Sequence, residues 1–326
     1  MQQTRVRPMV EGGVLSAVAI IFAIISAYLP VLGPFVNLIW PVPIILLGVR
    51  HGYKWSILAT AVAGVLIAIL LHPLQAVGVV VGFGLIGIVL GHAIRSEFSP
   101  TKAMIWGTLA SLVSKIAVLG ISAAVLGINP LTMQTDVLAK AVEQAVEVYR
   151  GFGMTEENLS QIAGSMKSTM ELLNIILPAG FMLAAVVDTY LNFMIARAVL
   201  RKLGHHTEGF PPFKLWTLPR FIAYFFILSL VGMYWGKTRE ITMLYNTAVN
   251  IQILSSMFLF VQGLALFYFL ADKYNLSRVT RGIILVVILT SSFLTQGLTF
   301  AGGFDMAVDY RRLRNGVKPD LNKKKI

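Results

Sequence analysis

The sequence predicts an all-α fold: a polytopic membrane helix bundle with a six-helix N-terminal unit and two to three further membrane segments. Three observations predict it. Of 326 residues, 56% are hydrophobic and only 13% charged, far from the soluble average. The apolar residues come in blocks, most of them long enough to cross a hydrocarbon core of ~30 Å at ~1.5 Å per residue. The Lys and Arg residues sit between those blocks, where they set topology and meet anionic headgroups.

Composition also excludes classes. The net charge of +12 is spread over loops rather than gathered on one face, which argues against nucleic acid as a partner. With no cysteine there is no disulfide, thiolate nucleophile or Cys-ligated metal. Arg5 and Arg7 before an apolar run resemble a signal peptide, with Ala17, Ala19 and Ala27 as mimics of a cleavage site. The run continues with small residues every fourth position, which suits a retained, packed helix.

The blocks fall at about 10–29, 35–49, 55–72, 74–94, 103–127, 172–197, 219–236, 243–271 and 282–303. Pro41 and Pro43 predict a kinked or unwound start to the second helix. With the N-terminus inside, inner loops hold Arg50, Lys54, Arg95, Lys102, Arg197 and Arg201. The outer loop 128–171 carries six acids, such as Glu143 and Glu156, against the three bases Lys140, Arg150 and Lys167. That bias fits six crossings over 1–203 in a cell (cytoplasmic) membrane, with a cytoplasmic N-terminus. A cytoplasmic linker (204–218), membrane segments over 219–303 and a basic tail (304–326) follow. The last block is either a full span or a re-entrant hairpin broken at Thr290-Ser291-Ser292. The cations Arg311, Arg312, Arg314, Lys318, Lys323, Lys324 and Lys325 favour the hairpin, which keeps the tail inside.

The outer loop has its own periodicity. Leu138, Ala141, Val142, Ala145 and Tyr149 predict one amphipathic helix; Leu159, Ile162, Ala163, Met166 and Met170 predict a second that starts after Thr155. These are surface helices on lipid or a lid over a cavity.

Several residues carry candidate chemistry. Ala19, Ala23 and Ala27 form a small-residue groove on the first helix, suited to packing within the bundle or to docking a separate membrane subunit. Gly78, Gly82, Gly84, Gly87 and Gly91 give helix four a face for tight internal packing. Lys115 and Asp188 lie inside apolar blocks, ~14–20 Å from the inner boundary, each on a small or polar stripe. An unpaired charge at the bilayer centre costs at least ~2.5–3.5 kcal/mol, so an interior ion pair is predicted, either structural or part of a ligand site. Asn37, Trp40, His72 and Gln75 fall near the outer tip and could orient a polar ligand; interface anchoring and a polar turn explain them too. His205-His206 reads as a solvated pair. No metal, nucleotide or hydrolase motif occurs, so neither an enzyme nor a cofactor is expected.

The stretch Pro41-Val42-Pro43, then Gly48-Val49-Arg50-His51-Gly52 and Gly64, after the Ala19/Ala23/Ala27 helix, resembles the YybS-like bacterial membrane proteins. So does the ending Gly303-Phe304-Asp305 with Asp309-Tyr310-Arg311. Residues 1–203 are also distantly similar to the S components of energy-coupling-factor transporters. That similarity implies an S-component-like six-helix unit binding a small molecule near its outer face. It implies docking through Ala19 and Ala23 to a membrane coupling subunit served by ABC-type ATPases. About 120 further residues depart from that pattern. The function predicted is a substrate-binding or transport subunit in the lipid bilayer; the alternative is a non-transporting scaffold or regulatory protein.

Overall fold

The structure, a computed structural model, describes residues 3–29, 31–126 and 130–313. The tail cations from Arg314 onward lie outside the described residues, as do the side chains of Arg5, Asp136 and Leu138. Every regular element described is helical. Eight helices are long and apolar enough to cross a membrane, and a ninth candidate is a bent pair. The chain is therefore a polytopic all-α membrane protein. It forms two compact units: residues up to 172 with 180–209, and 173–179 with 210 onward.

The first unit holds α1 (Gln3–Tyr28), α2 (Gly33–Ile39), α3 (Pro41–His51), α4 (Tyr53–Leu70), α5 (Pro73–Val79), α6 (Leu85–Arg95), α7 (Pro100–Leu126), α8 (Pro130–Gly151) and most of α9 (Glu156–Lys202). The predicted interruption of the second span lies at Trp40, between α2 and α3. Pro41 opens α3, where a missing N–H costs nothing. A π-helical turn, Val80–Gly84, joins α5 to α6. Of the glycine face of helix four, Gly84, Gly87 and Gly91 pack closely, a Cβ on Gly91 lying 3.1 Å from the Ile45 carbonyl of α3, whereas a Cβ on Gly78 would meet nothing within 4 Å. At the end of α3, Glu11 gathers Arg7, Arg50 and His51, with His51 Nε2 at 2.7 Å and Arg50 Nη1 at 3.0 Å.

The outer loop differs from expectation in one respect. Its first amphipathic stretch is α8, and Thr155 precedes α9 with Glu156 and Glu157 in the first turn. The second stretch is no separate helix. It continues into the sixth span as a single helix of 47 residues, about 70 Å long. The second stretch is therefore the first part of the sixth helix, and α8 precedes it across the short turn 152–155. The Arg150–Glu156 pair (2.9 Å) ties its turn.

The second unit contains α10 (Phe221–Thr238), α11 (Thr242–Lys273), α12 (Arg278–Thr290) and α13 (Ser292–Val308). Pro178 inside α9 removes one backbone donor. Beside it, Asn250 of α11 donates to the Ile175 carbonyl (2.6 Å) and accepts from Ala179 N–H (2.8 Å). One amide thus serves both backbone groups of the weakened turn. Glycines bring α11 and α13 into backbone contact: a Cβ on Gly302 would sit 2.0 Å from the Leu259 carbonyl.

The last pair bends by 107° at Ser291. Thr295 Oγ1 donates to the Ile288 carbonyl (2.7 Å) and Ser291 Oγ accepts from Leu294 N–H (3.5 Å), so side chains serve the interrupted ladder. Both ends of the pair reach the same place. Arg281, near the start of α12, pairs with Asp272 at 2.5 Å, and Asp272 also holds Lys214 at 2.6 Å. Past α13, Arg311 donates to the carbonyls of Lys214 (2.6 Å) and Trp216 (2.7 Å). The contacts at its two ends thus both involve the linker residue Lys214, directly or through Asp272, as the hairpin alternative expects. Because the chain has no cysteine, single replacements at the exposed positions Thr217 and Arg312 test this. Both should react with an impermeant thiol reagent from the same face; labelling from opposite faces contradicts the hairpin.

Candidate functional site

Lys115 on α7 and Asp188 on α9 meet inside the first unit as an ion pair between Nζ and Oδ2. The approach depends on Gly107, one face of α7, where a Cβ would lie 2.4 Å from Thr189 Cγ2. Only a residue without a side chain lets the two helices come this close. The pair is then reinforced from both helices. Lys115 Nζ donates to Ser111 Oγ at 2.9 Å, and Ser111 Oγ donates to Asp188 Oδ2 at 3.4 Å. Asp188 is 4% exposed, whereas the Lys115 side chain keeps 19% of its surface.

One turn beyond Asp188, the fully buried Asn192 donates to the carbonyls of Asp188 and Leu38, both at 2.8 Å. The second bond ties α9 to α2. It also brings the network beside Asn37. Three buried polar atoms of this region have no partner among the described residues: Asn192 Oδ1, Ser114 Oγ and Asn37 Oδ1. Ser114 is adjacent to Lys115 in the chain and is 1% exposed. Buried polar atoms are almost always bonded to protein or water; Thr207 Oγ1, Asn246 Oδ1 and Asp305 Oδ1 are likewise without a partner among the described residues.

The other sequence-predicted residues are not brought to this cluster. Trp40 faces the core with no exposed surface, and its Nε1–H donates to the Ala19 carbonyl at 2.9 Å. That bond holds the indole between α1 and α3. His72 caps α5, with Nδ1 accepting from Leu74 N–H at 3.2 Å; Gln75 is half-buried on the next turn. No hydrogen bond among the described residues joins these two to Asn37 or Trp40. Ala19 and Ala23 are fully buried in a core with Ile44, Leu47, Ala59 and Ala63, and Ala27 is half-buried. The small-residue stripe is used for packing within its own bundle, which removes Ala19 and Ala23 as a face for docking another subunit.

Sequence reasoning missed a second interior cluster, in the other unit. Arg311 and Asp305 pair at 2.9 Å with side chains 1% and 2% exposed. Gln262 Nε2 donates to the same carboxylate oxygen at 2.7 Å, and its Oε1 accepts from Leu218 N–H at 3.0 Å. With the Lys214 and Trp216 carbonyls on its guanidinium, Arg311 fastens the linker to the end of α13. An acid within an apolar run, six residues before an arginine, was the available signal. His206 lines a cleft of about 250 Å³ with Glu97, Phe98 and Glu208. Among the described residues no cluster of three or more His, Asp or Glu could hold a metal.

The Lys115–Asp188 pair has a direct energetic test. Removing one partner of a buried pair leaves an uncompensated charge and typically costs ~3–5 kcal/mol. Lys115→Met or Asp188→Leu alone should therefore lower the thermal midpoint and folded yield more than the double replacement or the exchange Lys115→Asp/Asp188→Lys. Equal behaviour of all four variants in gel filtration and thermal denaturation contradicts the pairing.

The comparisons agree with this architecture. No solved structure matches the chain. Over 323 residues the chain is 25% identical to Uncharacterized protein YybS of Bacillus subtilis (strain 168), covering 98% of this chain and 100% of that protein. Residues 17–306 match the family described as "Predicted membrane protein (DUF2232)". That match takes in both interior clusters up to Asp305, and the chain belongs to this family of polytopic membrane proteins.

Proposed function

We propose that this chain is a membrane receptor or transport subunit for a small polar solute, bound at the Lys115–Asp188–Asn192 cluster. The observation that carries the reading is the interior Lys115–Asp188 pair itself, with the unpartnered Asn192 Oδ1 one turn along α9. An ion pair kept only for stability gains nothing from unfilled neighbours; each unsatisfied group costs ~1–3 kcal/mol. Ionisable groups inside a membrane bundle commonly line solute or ion paths, and an open acceptor next to such a pair can serve an occupant. The partly exposed Lys115 gives the side of the cluster through which a solute reaches it.

The reading includes a cell-membrane location with a cytoplasmic N-terminus, supported by the cations of the inner loops and the acids of 128–171. It assigns no catalysis. Nor does it assign a coupling subunit to the Ala19/Ala23 face, since those residues are buried.

Purification in mild detergent followed by mass spectrometry tests the function. A small polar molecule should be released on denaturation in near-stoichiometric amount from the native protein and not from Asp188→Asn. A protein that releases no solute, or one that Asp188→Asn retains equally, contradicts a receptor at this cluster. The same preparation shows whether ATPases accompany the chain.

A further inference from the structure

We propose that the cleft between the α6–α7 loop and the start of the linker, in the first unit, binds a small organic ammonium ion. The cleft measures about 250 Å³, and two carboxylates, Glu97 and Glu208, line it with the hydroxyl of Thr207. Phe98, Phe193 and Ile94 supply its apolar wall. Local backbone bonds place these groups. Glu97 takes a left-handed conformation (φ 54°) at the end of α6, and Phe98 N–H returns to the Ala93 carbonyl at 3.0 Å. On the other side, Arg197 of α9 donates from Nε to the Thr207 carbonyl at 3.3 Å, and its guanidinium lies against Gly209. That contact holds residues 206–208 to the same opening.

The carboxylates are the informative groups. In the same unit Glu11 and Asp188 are each in an ion pair. Glu97 and Glu208 are in none among the described residues, although cations stand nearby. Lys102 lies over the Phe98 ring, 4.1 Å from its centre, and Arg197 is engaged by the linker backbone. Neither lines the cleft. Thr207 Oγ1, buried and without a partner among the described residues, here adjoins a cavity that also holds two unpaired carboxylates.

Charge and donor count select the ligand class. Two carboxylates at one opening repel an anion, and a neutral solute would leave both without a counter-charge; a cation gains from each. A directly bound metal ion does not fit, because no three His, Asp or Glu among the described residues are grouped to hold one. A primary ammonium has three N–H donors for the carboxylate oxygens and the hydroxyl, and its alkyl body suits Phe98 and Phe193. The volume falls below the ~300–1,000 Å³ of sites for drug-sized ligands, so the ligand has few atoms. Both glutamates are exposed to solvent, which makes the binding weak and salt-sensitive.

Saturation-transfer NMR on the full-length protein in a neutral detergent, with empty micelles as the blank, tests this with 1-butylamine, 1-butanol and butyrate. The three differ in charge and little in shape. Butylamine should bind saturably and be displaced by salt; butanol and butyrate should not bind. Glu97→Gly and Glu208→Gln should each weaken the amine about five- to tenfold, the effect of one lost charge-assisted contact near solvent. Glycine suits the left-handed backbone at 97 better than the native residue, so Glu97→Gly should melt no lower than the native protein. Glu157→Gln, at an exposed acid outside the cleft, should leave binding unchanged. Butanol or butyrate binding as strong as the amine's, no saturable amine binding, or amine binding that both cleft variants leave intact overturns the proposal, as does an equal loss in Glu157→Gln. The cleft shares no residue with the Lys115–Asp188–Asn192 cluster, so either site can fail without the other.

Discussion

Inside a bilayer no water is at hand to serve a stray donor or acceptor, and this constraint governs the whole structure. Each feature that breaks an ideal apolar helix comes with a partner supplied by the chain. Pro178 weakens a turn of α9, and the Asn250 amide takes up the neighbouring carbonyl and N–H. The bend at Ser291 is served by Ser291 and Thr295. Asp305 is answered by Arg311 and Gln262, and Asp188 by Lys115 and Ser111. A few buried atoms keep no partner among the described residues: the oxygens of Asn37, Asn192 and Asn246, one oxygen of Asp305, and the hydroxyls of Ser114 and Thr207.

The two interior ion pairs do different things with similar chemistry. Arg311 spends its guanidinium on Asp305 and on two carbonyls of the linker, and both side chains of the pair are almost wholly buried. It is a fastening between the end of the bent pair α12 and α13 and the linker. Lys115 is bonded to fewer groups and retains surface. Its carboxylate partner keeps an oxygen without a hydrogen bond, and Asn192, one turn along α9, presents another. Each carboxylate keeps one oxygen without a hydrogen bond, and the pairs differ in that Lys115 retains exposed surface whereas Arg311 is almost wholly buried.

Much of this was legible in the sequence because the signals were one-dimensional. Apolar block lengths located the spans, the prolines at 41 and 43 located the break near Trp40, and charges within apolar runs singled out Lys115 and Asp188. The polar run at 290–292 marked the bend. What could not be read was direction. A tryptophan near a helix end reads as an interface anchor, and only the packing of α1 on α3 turns Trp40 toward the Ala19 carbonyl. A stripe of alanines suits an internal or an external partner equally, and burial assigns Ala19 and Ala23 to the internal one. Asn250 and Gln262 act on backbone groups 75 and 44 residues away, pairings that spacing along one helix does not show. The unbroken α9 was missed because an amphipathic stretch and an apolar stretch were treated as separate elements, although no helix breaker lies between Glu156 and Pro178 apart from Gly164.

The central claim is that the polar cluster between α7 and α9 is an occupied site within the membrane. An experimental density map of the purified protein, at a resolution that shows side chains, tests it most directly. The account predicts Lys115 directed onto Asp188 and non-protein density, larger than a water molecule, against Asn192 Oδ1 and Ser114 Oγ. Lys115 turned away toward headgroups, or Asn192 and Ser114 sealed by apolar side chains with no density beside them, would contradict it.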